Sequence, residues 1–294
     1  EWMEDCTSER LRNAILSIQN APNSKALASA FYNQVKYLGF NPSAQERLNE
    51  ILSPNGPFAS AEVIDTEVGS QLMRAFAEIT PENTTQLLYF TLYNKSIKEL
   101  EELSDGRRNL VWLLEKLCFR PETFEKAAYL MMRLGIAENE SFANNASNQF
   151  LSLFPIYLPA TSVSLDKRFF FIKSNIKNKE NRPILIKALG RALSTHGFTY
   201  MNGPETLGGE RLNNYEPKTT NEIYDYISQC LDLLVTCSNT DNESMEQSAH
   251  ILEASVAQLC HSGFGSVVLP CVSKFADKMN GDWDEMWDTM SLFH

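Results

Sequence analysis

Histidine is scarce. Only His196, His250, His261 and His294 occur in 294 residues. None falls in an H-E-x-x-H motif and no G-x-S-x-G elbow is present, so neither a zincin site nor a serine-hydrolase nucleophile is written here. Six cysteines form no C-x-x-C pair, which excludes a disulfide-dense extracellular scaffold and predicts a reducing, cytoplasmic setting. Cys230, Cys237, Cys260, His261 and Cys271 do share one third of the chain. Yet Cys230 and Cys237 are seven apart on one apolar stripe, outside the short ligand spacing of structural zinc. A buried thiol packs as a small hydrophobe, so no metal is expected. No apolar run approaches the roughly 20 residues that cross a bilayer, which argues against a membrane-spanning protein. The chain opens Glu1-Trp2-Met3 without a basic or apolar leader. It reads as a piece of a longer protein and not as a secretory precursor.

Phosphate chemistry is missing too. Gly203-Pro-Glu-Thr-Leu-Gly208 has the glycine spacing of a Walker A, but Gly209 and Glu210 stand where lysine and a hydroxyl belong. A carboxylate there would repel phosphate, so this is a glycine-rich turn and no nucleotide cofactor is expected. Paired acids such as Glu101-Glu102 and Asp284-Glu285 have no companion histidine and read as solvated helix faces. No catalytic constellation remains, and the segment is expected not to be an enzyme.

What the sequence has is helical periodicity. Ser24 precedes Leu27, Phe31, Val35 and Leu38, with Gly39 as a stop, the order of N-cap, apolar stripe and terminal glycine. Asp105 is placed to cap a helix bearing Val111, Leu114, Leu117 and Cys118. Pro121 and Pro183 suit first helical turns, where a missing N–H costs nothing. Alternating period-2 runs are absent, so sheet should be minor. Helix starts fall near residues 8, 24, 43, 66, 81, 106, 121, 144, 164, 182, 219, 243, 266 and 282. One antiparallel pair per roughly 40 residues is the length of a HEAT-type repeat. The expected fold is all-α, a divergent HEAT/TPR-like array of antiparallel helical pairs (a solenoid), with an irregular bundle as the alternative.

Charge divides the chain. From Thr219 onward twelve acids face two lysines, whereas residues 160–192 hold eight basic residues against Asp166 and Glu180. We therefore read N-terminal repeats over 1–104, a central module over 105–218 with a long loop at 195–218, and acidic repeats over 219–294. The acidic end either meets a basic protein surface or is a solvated face. In the basic block, Lys167, Arg168, Lys173, Lys177, Lys179, Arg182, Lys187 and Arg191 flank Phe169, Phe170 and Phe171. A nucleic-acid ridge is one reading of that block. The acidic pI near 5 weighs against it, and the phenylalanines are expected to pack between helices. Trp283, Met286, Trp287 and Met290 share one helical face ringed by acids, either a docking anchor or the contact with a next repeat. The candidate partner-binding residues are Trp283, Trp287, Asp284 and Glu285 there, with Tyr200, Arg211 and Tyr215 in the long loop.

Residues 112–134 carry Trp112, Leu114, Glu115, Leu117, Pro121, Phe124, Ala127, Ala128 and Leu134, continued by Asn145, Leu153-Phe154, Thr161 and Arg168. This pattern, over about 110–215, resembles a block in the helical C-terminal regions of bacterial STAND-type NTPases, antiviral ATPases with an N-terminal nuclease or sirtuin-like effector. The resemblance implies a sensor region that binds a phage-encoded protein, such as a terminase or portal, and thereby drives oligomerisation and effector activation. It also implies contact with N-terminal domains of the parent. Its positions are packing positions, so it transfers no catalytic residue. A structural scaffold joining subunits of the parent, and a nucleic-acid-binding solenoid, are the rival readings.

Overall fold

The computed structural model describes residues 8–35, 42–195, 206–278 and 283. Ten helices come first: α1 (Ser8–Asn20), α2 (Ser24–Val35), α3 (Pro42–Leu48), α4 (Ala61–Ile64), α5 (Glu67–Ala77), α6 (Pro81–Leu92), α7 (Ile97–Glu101), α8 (Arg107–Leu117), α9 (Phe124–Ile136) and α10 (Ala146–Leu151). Then follow α11 (Leu165–Asn175), α12 (Arg182–Ala192), a hairpin of β1 (Thr206–Leu207) and β2 (Glu210–Arg211), α13 (Thr220–Cys237), α14 (Asn242–His261) and α15 (Gly265–Lys278). Apart from that hairpin the described residues contain no strand, so the all-α expectation stands. Thirteen expected helix starts coincide with observed ones to within three residues; the fourteenth, near 282, lies outside the described residues. Sequence reading missed α4 and α7, which are too short to show a hydrophobic period.

Local chemistry explains most boundaries. Thr66, Thr219 and Asp241 accept the first free amides of α5, α13 and α14, and Ser96 with Glu99 forms a capping box on α7. One expectation is corrected. Asp105 does not cap α8, whose N-cap is Gly106 without a side-chain bond. The Asp65 carboxylate accepts the Ser104 and Gly106 amides instead, at 2.9 and 3.1 Å. A Cβ on Gly106 would lie 2.6 Å from the Ile64 carbonyl oxygen, so only glycine permits this approach.

The chain forms two compact units, Glu1–Gln149 with Asn202–Asn213, and Phe150–Met201 with Asn214–His294. The charge-based segments 1–104, 105–218 and 219–294 do not coincide with them. α8 packs on α5 across residue 104, and the hairpin belongs to the first unit although its chain neighbours belong to the second.

In the first unit α5 packs between α2 and α8 in one row, and α6 packs on α9 in another. Helices α5 and α8 begin at Glu67 and Arg107, and α6 and α9 at Pro81 and Phe124. The side-chain bonds between these layers recur at nearly one separation. Asn109–Ser70 spans 39 residues, Lys116–Glu78 and Arg120–Glu82 span 38, and Lys126–Gln86 spans 40. Leu72, Phe76, Leu110, Leu114, Ala127, Met131 and Leu134 fill the space between the helices. Arg107 is buried there and donates to the carbonyls of Leu100, Leu134 and Ala137.

In the second unit α13 packs between α11 and α15, and α12 packs on α14. Leu185, Leu189, Ile227, Leu231, Leu252, Val256 and Phe275 form its core. No helix among the described residues is long and apolar enough to cross a membrane.

Candidate interaction surfaces

An aromatic ladder lies on the outer faces of α6 and α9. Tyr89 and Tyr93 are one turn apart on α6, so their rings stack with centroids 4.7 Å apart. Tyr129 on α9 completes the set at 5.8 Å from Tyr89 and 5.2 Å from Tyr93. The Lys126 ammonium sits 5.9 Å from the Tyr89 ring centre and also bonds Gln86. Phe90 extends the patch, 52% exposed, and Tyr93 is 41% exposed. Loss of water, reinforced by Tyr93 and Tyr129, pushes the Tyr89 hydroxyl up to about 12. It is therefore a neutral hydrogen-bond donor at any physiological pH. Large rings with polar tips suit protein contacts, because they bury much area at little conformational cost. Sequence reading missed this surface. Its signal is Gln86 and Tyr89 followed 40 residues later by Lys126 and Tyr129, visible only once the repeat length is used.

A second cluster joins α2, α5, α8 and the hairpin. Glu78 is buried, and its carboxylate receives Lys116 Nζ at 2.5 Å, Tyr32 OH at 3.4 Å and the Gly208 amide at 2.7 Å. Gly208 and Gly209 have φ of 60° and 78°, as a two-residue hairpin turn requires. The amide that a phosphate loop would offer to a nucleotide is thus spent on a carboxylate. Arg74 lies over the rings of Tyr32 and Trp112, at 4.8 and 5.2 Å, and donates to Asn109 at 2.9 Å. Glu78 is buried and takes donors from α2, α8 and the hairpin, so the cluster holds helices and the hairpin together.

The sequence-derived candidates are not gathered into one site. Arg211 is exposed on β2 in the first unit, while Tyr215 is in the second. Tyr215 donates its amide to Thr161 at 2.7 Å and its hydroxyl to Glu222. Trp283 is no exposed anchor: it is 3% exposed, 5.9 Å from the Phe275 ring, and its indole N–H donates to Glu253. An indole buried against another ring is core. Tyr200, Asp284, Glu285 and Trp287 lie outside the described residues.

The basic block is corrected in two places. Arg168 is wholly buried, donating to the Leu153 and Pro155 carbonyls at 3.0 and 2.7 Å. Phe169 and Phe171 are buried as expected, but Phe170 is 66% exposed. Successive helical residues turn by about 100°, so three in a row cannot share one buried face. Cys230 and Cys237 sit buried on α13, where burial pushes both thiols up, Cys237 to about 11. Among the described residues no three His, Cys, Asp or Glu side chains come together as metal ligands.

No family model and no curated protein matches the chain. A solved structure described as an engineered protein aligns over 95% of this chain and 97% of its own, at 12% identity and a TM-score of 0.25. That score carries no argument about fold or function.

Proposed function

We propose that the chain is a protein-recognition module built as a divergent HEAT/TPR-like helical array, with the α6–α9 aromatic ladder as its contact surface. The observation that carries the reading is the ladder. Phe90 and Tyr93 are exposed on α6, and the half-buried Tyr89 and Tyr129 back Tyr93 across two stacked helices. The recurrence of interlayer bonds at 38–40 residues supports the array. Its mechanism is burial of aromatic area with hydrogen-bonded rims, and no bond-making step is assigned to it.

The resemblance at residues 112–134 supplies the partner class: a phage-encoded protein, sensed by this region within a cytoplasmic antiviral NTPase whose catalytic domains lie elsewhere. The test is capture from phage-infected and uninfected bacterial lysates by the wild-type chain and by the Phe90→Ser/Tyr93→Ser variant. A phage protein retained from infected lysate by the wild type and lost by the variant is the expected result. Equal retention by both would remove the ladder from the interface. Recovery of nothing but segments of the parent protein would favour the scaffold reading.

A further inference from the structure

The second unit carries a different surface, independent of the ladder. On α11, Leu165, Arg168, Phe169, Phe171 and Ile172 are buried. The opposite face shows Lys167, Phe170, Lys173 and Ser174, and Lys177 follows in the next turn, all exposed. At 100° per residue Phe170 falls midway between Lys167 and Lys173 around the helix, and the Lys173 ammonium lies 5.9 Å from the neighbouring Phe169 ring. None of Lys167, Lys173 and Lys177 takes part in an ion pair among the described residues. The single acid on this face, Asp166, is bonded to Ser164 at the start of the helix. Phe170, two-thirds exposed, thus stands beside lysines that form no ion pair among the described residues.

We propose that this face docks a short acidic polypeptide segment bearing an apolar side chain, which covers Phe170 while its carboxylates meet Lys167, Lys173 and Lys177. Charge complementarity selects an anionic partner, and the central ring selects one with an apolar group. The neighbourhood selects a short polypeptide over nucleic acid. Phe170 is the one exposed ring on α11. Strand binding uses several rings in series, one for each stacked base, and here Phe169 and Phe171 are buried.

Fluorescence anisotropy tests this with three labelled probes of equal length: an Asp/Glu peptide containing phenylalanine, its Lys-substituted counterpart and oligothymidylate. The acidic peptide should bind, the basic one should not, and affinity should fall as salt rises. K167E/K173E/K177E should weaken binding about tenfold or more, and F170A should weaken it even in salt that screens the lysines. All four positions are exposed, and unchanged circular dichroism and melting establish that each variant is folded. Unaltered affinity in the charge-reversed variant, no binding of the acidic peptide, or tighter binding of oligothymidylate would each overturn the proposal.

Discussion

Replacing Arg107 by Met tests how the first unit is held together. The side chain is 1% exposed and donates to three carbonyls, Leu100 at 2.9 Å, Leu134 at 2.9 Å and Ala137 at 2.8 Å. Two of those carbonyls close the end of α9 and one closes α7, so a single guanidinium satisfies acceptors from two helices. Glu138 lies 3.4 Å from it and Glu140 4.0 Å. Methionine fills similar volume but donates nothing, and water does not reach the site. Each orphaned acceptor costs about 1–3 kcal/mol. Partial relaxation, and relief from burying the cation, offset some of that, leaving about 3–5 kcal/mol. In urea, with a slope of about 1–3 kcal/mol/M, the midpoint read by circular dichroism should fall by roughly 2 M. Arg168→Met is the control. Arg168 is equally buried but satisfies only two carbonyls; its Nε and Nη2 have no hydrogen-bond partner, and the guanidinium lies 5.7 Å from each of the Tyr215 and Tyr226 rings. Removing it leaves fewer acceptors stranded and releases a cation that has no carboxylate in ion-pair range among the described residues, so the loss should be only about 1–2 kcal/mol. Equal effects of the two substitutions, or a loss under about 1 kcal/mol for Arg107→Met, would refute the carbonyl-hub reasoning.

Gly106→Ala should destabilise by about 2 kcal/mol or more, read as a lowered melting temperature, because the added carbon meets the backbone of Ile64 and Asp65 at 2.6–2.8 Å. Phe90→Ser with Tyr93→Ser should abolish partner capture at a stability cost of about 1–2 kcal/mol, since Phe90 is half exposed and Tyr93, 41% exposed, stacks on Tyr89 and Tyr129; a larger loss of stability would mean the ladder is core. Asp241 has its pKa lowered by backbone and side-chain bonds with Ser244, with Arg182 adding to the effect. Its contribution is therefore present above the ordinary value of 3.8 and lost as pH falls through the depressed native value. Asp241→Asn should flatten that acid limb in urea midpoints measured against pH, and an unchanged limb would contradict the assignment.

Helix starts were legible in the sequence because capping is local. Thr219 sits three residues before the amide of Glu222 that it accepts, and Asp241 three before that of Ser244. Stripes such as Ile223, Ile227, Cys230 and Leu234 likewise need only the helical period to be seen. The ladder was half-legible: its tyrosines repeat at 40 residues, but only stacking of α6 on α9 brings their rings into contact. Three decisions belonged to tertiary structure alone. Gly208 meets Glu78 across 130 residues, and no local pattern encodes such a pairing. Arg168 is drawn inside by the carbonyls of Leu153 and Pro155, although its neighbours Lys167 and Lys173 face water. Trp283 is buried because Phe275 of α15 and Glu253 of α14 offer a ring and an acceptor to the same indole. The sequence by itself determined the local matter, where helices begin and which stripe of each is apolar. Which polar and aromatic side chains became core, and which became surface, was decided by partners on other segments that only folding brings within reach.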